Sequence, residues 1–515
     1  MLVGIVSRPR FAADALAPVN QLPPEILCEV FFHLRPVIRR GSELSRGTKE
    51  PFKDLLAVTH TCQYWRVTAI AAADLWSQLV ARDRRKKFDN ITRLFISRSG
   101  ELPMGADLGR RLEVVAPHAD RLRTLFCRGC TVDDFSHLSN RPVPLLETFH
   151  ILPSSSSNHH GPGCSPLPTL FNRDSPSLRE LVVDGYDPFP NNRFKNLSSF
   201  SLWLPDGEAG LTFWTLLFMM LQDSPQLEEL FLLFGFIYDH PPFPKDSPTP
   251  ASLHALQKLH LHGVPSSLTR RFLNSLDLIP NGIAMQFVNI DPEFDWIFPP
   301  TLPPELSLRA VTSLEIVYLS AGGFTIQGTN AGMGIRVVEF FDSKTTHAGV
   351  FSRLAEQRNP PLPLRELWIH IGRKERCKIK LLPLSKFPNL EKLVVRATTN
   401  GNHIYRLLQK LNVHHRHVPC PLLSTLDLSG LVNMEHLLKV LRARSKAGCR
   451  LGKLRLGKTH LLVEDALKLG VRDCVDELEF SGEDAEPHGM ELPAVCTTEL
   501  GGWWEPWTRY QVGFL

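Results

Sequence analysis

Asn20-Gln21-Leu22-Pro23-Pro24-Glu25-Ile26-Leu27-Cys28-Glu29-Val30-Phe31-Phe32-His33-Leu34 is the stretch whose reading organises the chain. Leu22, Ile26, Val30 and Leu34 fall four apart, with Leu27 and Phe31 beside them, which predicts one apolar stripe on a helix of about three turns. Pro23 and Pro24 sit in the opening turn, where a missing N–H costs nothing and a fixed φ helps. A second segment, Asp54-Leu55-Leu56-Ala57-Val58-Thr59-His60-Thr61-Cys62-Gln63-Tyr64-Trp65-Arg66, leads to Leu75-Trp76. Asp54 is its expected N-cap. Leu55, Val58, Cys62, Trp65 and Ala69 recur at steps of three and four and give a second apolar face. Short helices with faces this wide cannot bury all of that surface within roughly 60 residues. Part of it is expected to meet a partner.

Leu22-Pro23-Pro24-Glu25-Ile26-Leu27, then Val30-Phe31 and Leu34, then Cys62, Trp65-Arg66 and Leu75-Trp76, resembles an F-box. With its long insert and the following Arg98-Ser99-Gly100-Glu101-Leu102-Pro103, the segment is similar to the F-box proteins abundant in mushroom-forming fungi. The resemblance implies a helical box over residues 18–80 that docks an adaptor of the Skp family and, through it, a cullin. It implies a substrate-recognition subunit of a ubiquitin ligase, with catalysis left to other subunits. The docking residues it points to are Leu22, Pro23, Pro24, Ile26, Leu27, Val30, Phe31, Leu34, Cys62, Trp65 and Leu75, a set of which some members must instead be internal core. The insert from Arg35 to Lys53 is basic (Arg39, Arg40, Arg46, Lys49) and reads as a loop.

Beyond Trp76 the run Arg82-Asp83-Arg84-Arg85-Lys86-Lys87 reads as a solvated helix face or hinge. A short unit then recurs: apolar, two of anything, apolar, one of anything, apolar. Copies include Leu122/Leu125/Cys127, Leu146/Phe149/Ile151, Leu178/Leu181/Val183, Leu197/Phe200/Leu202, Leu227/Leu230/Leu232 and Leu256/Leu259/Leu261. They continue through Met285/Val288/Ile290, Leu314/Val317/Leu319, Leu364/Leu367/Ile369, Leu390/Leu393/Val395, Leu423/Leu426/Leu428, Leu451/Leu454/Leu456 and Val475/Leu478/Phe480. Most intervals lie in or near the ~20–29 residues of leucine-rich repeats. The widest, between Leu314 and Leu364, leaves room for a further copy at 335–341. A strand this short has no core of its own, but neighbours laid in parallel bury a continuous ribbon of leucine. The predicted architecture is α/β: the helical box, then an irregular leucine-rich-repeat solenoid over 81–482 whose parallel strands line a concave face. Residues 1–17 form an N-terminal tail. The segment 483–515, ending in Trp503-Trp504 and Trp507, either caps the last repeat or is disordered.

Composition adds bounds. The 515 residues are 43% hydrophobic and 22% charged, with a formal net charge of +5. That balance is ordinary for a globular chain and announces neither nucleic-acid nor membrane binding. The apolar run Leu211–Leu221 is too short to span a bilayer and reads as a buried helix. Among ten cysteines only Cys127 and Cys130 have the C-x-x-C form, so a reducing compartment, cytoplasmic or nuclear, is the simpler expectation.

Three further motifs invite chemistry. Gly452-Lys453-Leu454-Arg455-Leu456-Gly457-Lys458-Thr459 satisfies the P-loop expression, yet Leu454 and Leu456 are the inward pair of a predicted strand, which speaks against a pliable phosphate loop. His414, His415 and His417 with Cys420 are too crowded to converge on one ion and read as a loop. No catalytic signature is present. The chain is therefore expected to be a non-enzyme without cofactor or metal. What remains is a binding face. Residues between the apolar ones alternate to the open side of each strand, which points outward Phe126, Trp203, Phe231, His260, Tyr318, Trp368 and His370, with charged Glu180, Lys258, Glu366, Lys392, Arg396, Lys453 and Arg455; any one of the aromatics either meets a partner or lies under a long loop or against the N-terminal helices. Trp203, Phe231, His260, Tyr318, Trp368, His370 and Arg396 are the candidate residues for an unidentified protein substrate. Two alternatives remain: a leucine-rich scaffold without ligase engagement, and a nucleotide-binding switch through 452–459.

Overall fold

Apolar stripes separated by proline-rich connections fold, in the computed structural model, into a mixed α/β chain with a large, mostly parallel sheet. Described are residues 17–36, 38, 52–81, 87–109, 112–152, 167–173, 175–184, 192, 194–204, 211–234, 249–264, 266–279, 282–288, 311–318, 324–330, 332–339, 363–371, 384–397, 401–413, 417–457, 470–481, 490–498 and 507. The chain divides into two units, Met1–Glu229 with Leu500–Trp504, and Leu230–Glu499 with Glu505–Leu515.

In the first unit Pro23 caps and Pro24 begins the helix Pro24–Phe32. The next helices are Lys53–Thr61 and Gln63–Ala71. Phe52, not Asp54, is the N-cap of Lys53–Thr61; Asp54 lies in the first turn, where its charge still favours the helix start. Cys62 caps Gln63–Ala71 through its sulfur, which accepts from the Trp65 amide at 3.5 Å. Two long-range hydrogen bonds fasten this corner. The Trp65 indole donates to Asn20 Oδ1 at 2.7 Å, and the Tyr64 hydroxyl donates to the Leu22 carbonyl at 2.7 Å. Trp76 ties these helices to the helix Lys87–Arg98: its indole donates to the Ala69 carbonyl at 2.7 Å, and its ring meets Phe95 edge-on at 5.1 Å with Arg98 above it at 4.3 Å.

The sheet starts two residues after Trp76, inside the range assigned to the helical segment. Strands β1 (Gln78–Ala81), β2 (Met104–Leu108), β3 (Leu122–Arg128), β4 (Thr148–Leu152), β5 (Glu180–Asp184) and β6 (Ser199–Leu204) pair in parallel and in chain order. The first two carry no copy of the repeat, so they escape the pattern. Leu125, Phe149, Leu181 and Phe200 are lateral neighbours, all 0% exposed. Two of these strands are entered in the same way. The amides of Arg179 and Glu180 both donate to the Glu147 carbonyl, and those of Ser198 and Ser199 both donate to the Arg179 carbonyl. This fork satisfies backbone groups where a turn becomes a strand. The helix Leu211–Asp223 buries Phe213, Trp214, Leu217, Phe218 and Leu221. No helix among the described residues is long and apolar enough to cross a membrane.

Strand β7 (Glu229–Phe234) begins at the last residue before the division. The second unit contains β8 (Ala251–Ser252), β9 (Lys258–His262), β10 (Leu276–Asp277), β11 (Ile283–Val288), β12 (Ser313–Tyr318), β13 (Phe324–Thr329) and β14 (Met333–Glu339). It ends with β15 (Glu366–Ile371), β16 (Lys392–Ala397), β17 (Thr425–Ser429), β18 (Leu451–Gly457) and β19 (Val475–Ser481). Strands β8 and β10 form a separate two-residue pair. The fork recurs: Glu391 and Lys392 donate to the Arg365 carbonyl, and Ser424 and Thr425 donate to the Glu391 carbonyl.

Here the expected run of sequential parallel strands fails. β9 pairs β11, β11 pairs β14, the antiparallel meander β14–β13–β12 comes next, and β12 then pairs β15 in parallel. The wide interval holds this meander rather than one more copy of the unit. The copies at Met285/Val288/Ile290 and Leu314/Val317/Leu319 are out of phase for the same reason. Strand alternation puts Met285 with Phe287 and Leu314 with Ile316, leaving Val288 and Val317 on the opposite face. From β15 to β19 the order is sequential again, and Leu367, Leu393, Leu426, Leu454 and Leu478 stand side by side. The helix Gly401–Leu411 presents a stripe of Ile404, Leu407, Leu408 and Leu411, each 0% exposed.

One buried charge braces this unit. Arg444, 1% exposed on the helix Met434–Lys446, donates to the carbonyls of Pro419 at 2.7 Å and Cys420 at 2.8 Å. Cys420 sits at φ 46°, a backbone state that few side chains adopt. Arg444→Leu leaves both carbonyls without their donor and should cost on the order of 2–4 kcal/mol, read as a lower urea midpoint by circular dichroism.

Candidate interaction surfaces

The N-terminal helices sort the eleven predicted docking residues. Leu27 and Phe31 are 1% exposed and Leu75 is 0% exposed, so these three form the internal core and present nothing to a partner. The sequence left open which of the set are internal core, and these three are removed from the docking residues on that ground. The stripe was drawn wider than one helix face, and the half at Leu27 and Phe31 turns inward, where the Phe31 ring meets Trp65 at 5.3 Å. Leu22, Leu34, Cys62 and Trp65 are half-buried. Pro23, Pro24, Ile26 and Val30 are exposed. Val19, Val67 and Ile70, absent from the predicted set, are 42%, 59% and 41% exposed. Val67 and Ile70 were legible as an apolar pair three apart on the helix that also carries buried Ala69.

In the first unit the sheet face opposite the leucines is polar and aromatic. Arg128 pairs with Asp107 at 2.8 Å, the Phe126 ring lies 4.1 Å from that of His150, and His150 Nε2 meets Glu180 Oε1 at 3.0 Å. Phe126, His150 and Glu180 are buried, which corrects the outward reading of Phe126 and Glu180. Alternation assigns them to the second face, but that face is not open at their positions. Trp203 is exposed, as expected of a binding residue. Its neighbour in register, Asp184, has its carboxyl pushed up to about 7 by burial.

In the second unit one lateral row runs His260, Gln286, Arg336, Gln327, Glu315, Trp368, Val394, Asp427, Arg455 and Glu479. His370 Nε2 meets Glu315 Oε1 at 2.8 Å, and the Gln327 amide donates to Glu315. Phe231, Trp368 and His370 are buried, and burial with the nearby His262 holds His260 down to about 3, hence neutral. These four were expected to face solvent; Phe231, Trp368 and His370 do not, and His260 is half-buried. Tyr318 ends β12, and its side chain lies outside the described residues. Arg396 is half-buried, 6.0 Å from the Trp368 ring, with Lys392 over the same ring at 4.6 Å. At the far end Lys453 bridges Glu477 and Glu479 while Arg455 pairs with Glu479 at 2.7 Å. Lys453 first and Arg455 second hold the Glu479 carboxyl down at about 2.

The segment 490–498, with Trp507, takes neither course expected of it. It lies against the polar face of β9, β11, β14, β15 and β16 rather than capping β19. Met490 clusters with Trp368 and Val394, the Lys258 ammonium donates to the Thr498 carbonyl at 2.5 Å, and the Trp507 indole donates to Gln286 at 3.1 Å. This is what buries Trp368, and spacing alone gave no sign of it.

No protein-family model matches the chain, and no curated protein matches its sequence. Its chemistry rests on its own residues. The P-loop-like stretch lies in β18 through Gly457, with Leu454 and Leu456 at 0% exposure, so its backbone amides serve a sheet; Lys458 and Thr459 lie outside the described residues. Of the histidine cluster only His417 is described. Among the described residues no three His, Cys, Asp or Glu side chains gather to hold a metal ion. Cys127 and Cys130 are buried and hold no disulfide, and burial pushes the Cys127 thiol up.

Asp184 makes a pH prediction. Its folded pKa is raised above the ordinary 3.8, so the stability tied to its neutral form is full below that value and is lost as pH rises toward about 7. Asp184→Asn removes that loss. Its stability advantage over the parent chain should grow between pH 5 and pH 8 by about 2–3 kcal/mol, measured as the difference in urea unfolding free energy.

Proposed function

We propose that the chain is the substrate-recognition subunit of a cullin-based ubiquitin ligase. In this reading its N-terminal helices act as an F-box that docks an adaptor of the Skp family, and an irregular leucine-rich-repeat solenoid holds a protein substrate. The observation that carries it is the exposure of Ile26 (49%) and Val30 (51%) on a helix whose Leu27 and Phe31 are already sealed in the core. Covering such a side chain fully is worth about 1.5–3 kcal/mol, and a group of them beside a finished core favours a partner's apolar surface. Pro23 and Pro24 extend the patch at the helix start, half-buried Leu22 and Leu34 border it, and Val67 and Ile70 add apolar surface on a neighbouring helix. Among the described candidates, Trp203 of the first unit is exposed and His260 and Arg396 of the second are half-buried, which leaves each within reach of a substrate. Catalysis belongs to the other ligase subunits, and the chain works in the cytoplasm or nucleus without a cofactor of its own.

The test is capture of the full-length protein by a purified Skp-family adaptor. Ile26→Asp combined with Val30→Asp should lower capture by about tenfold or more while circular dichroism and the melting temperature stay unchanged. Equal capture of the double variant would leave a leucine-rich scaffold that does not engage a ligase.

A further inference from the structure

The segment 490–498 and Trp507 reach the polar sheet face of the second unit at several separate places. Met490 packs between Trp368 and Val394, with Leu492 beside it, and the Thr329 hydroxyl reaches the Met490 sulfur at 3.7 Å. Cys496 and Trp507, 0% and 1% exposed, sit over Gly334 of β14, and Arg336 lies 5.8 Å from the Trp507 ring. Gly334 is where a side chain would intrude. A Cβ there would strike the Cys496 sulfur and come within 2.8 Å of the Trp507 ring.

The polar groups are matched as well. The Lys258 ammonium, on a residue 0% exposed, is capped by the Thr498 carbonyl, and Gln286 accepts the indole N–H. Among the described residues the segment's backbone hydrogen bonds are internal: Cys496 to Pro493, Thr498 to Ala494 and Trp507 to Cys496. None adds it to a strand. Among the described residues its attachments to the sheet run through side chains and the Lys258 ammonium rather than through ladder bonds.

We propose that this face is a peptide-binding surface whose resident ligand is the chain's own C-terminal segment. The partner it fits in trans is a peptide of the same chemistry: two large apolar side chains two residues apart, a small residue to sit over Gly334, and a tryptophan whose indole N–H meets Gln286. The segment covers Val394 on the strand face that also carries Arg396, so a substrate using this face of the second unit competes with it. The identity of the trans ligand as a substrate rests on the ligase reading; the exchange itself does not.

Two full-length variants test it, neither altering a strand: Trp507→Ala and Met490→Asp. Native alkylation of Cys496 by N-ethylmaleimide, quantified by mass spectrometry, should quicken by about tenfold or more in both, while buried Cys127 and Cys420 stay protected. A fluorescein-labelled peptide of residues 488–510 should bind the Trp507→Ala chain at least about tenfold tighter than the parent, which keeps its own copy in place. Cys496 remaining protected in both variants, Cys127 and Cys420 reacting in step with it, or a peptide that does not distinguish the two chains would each overturn the proposal. Adaptor capture through Ile26 and Val30 reports separately on the ligase reading and should be unchanged in both variants.

Discussion

A strand turns alternate side chains to opposite faces, and that constraint governs both units. One face takes leucine and its relatives, row upon row. The other must then accept every residue in between, whatever its polarity. Where this second face is covered, its polar groups have to be paired, because an unpaired buried charge costs several kcal/mol. Asp107 with Arg128, His150 with Glu180, and Glu315 with His370 and Gln327 meet that requirement. Where it is less covered, as around Lys453, Arg455 and Glu479, the charges form a ladder in contact with water.

The leucine rows were legible because they repeat a simple spacing that no other local structure needs. Leu125, Phe149, Leu181, Leu393, Leu426 and Leu454 all point where their pattern placed them. The meander was not legible. Strands β12 to β14 obey the same alternation, but their partners are chosen by long-range pairing, and the motif carries no record of strand direction. The opening strands β1 and β2 went unread because Gln78–Ala81 and Met104–Leu108 are too short, and too poor in leucine, to show the unit.

The candidate surfaces show a similar limit. Periodicity placed Phe126, Trp203, Trp368 and His370 on the second face, yet only Trp203 among them is exposed. Whether a residue on that face meets water depends on segments distant in sequence, Met490 in the case of Trp368. On the helix Pro24–Phe32 the decisive step is a single residue. Ile26 and Leu27 are both apolar, but about 100° of helical rotation separates them, and only packing against Trp65 and its neighbours decides which is sealed.

Arrays built by adding neighbours can usually be lengthened or shortened one module at a time. The meander removes that freedom from the middle of the second unit. Because β14 supplies the edge on which β11 rests, while β12 supplies the edge for β15, the span from Ile283 to Ile371 stands or falls as one block. Loss of any one of these strands parts the sheet here, whereas from β15 to β19 each strand rests on its neighbour in chain order.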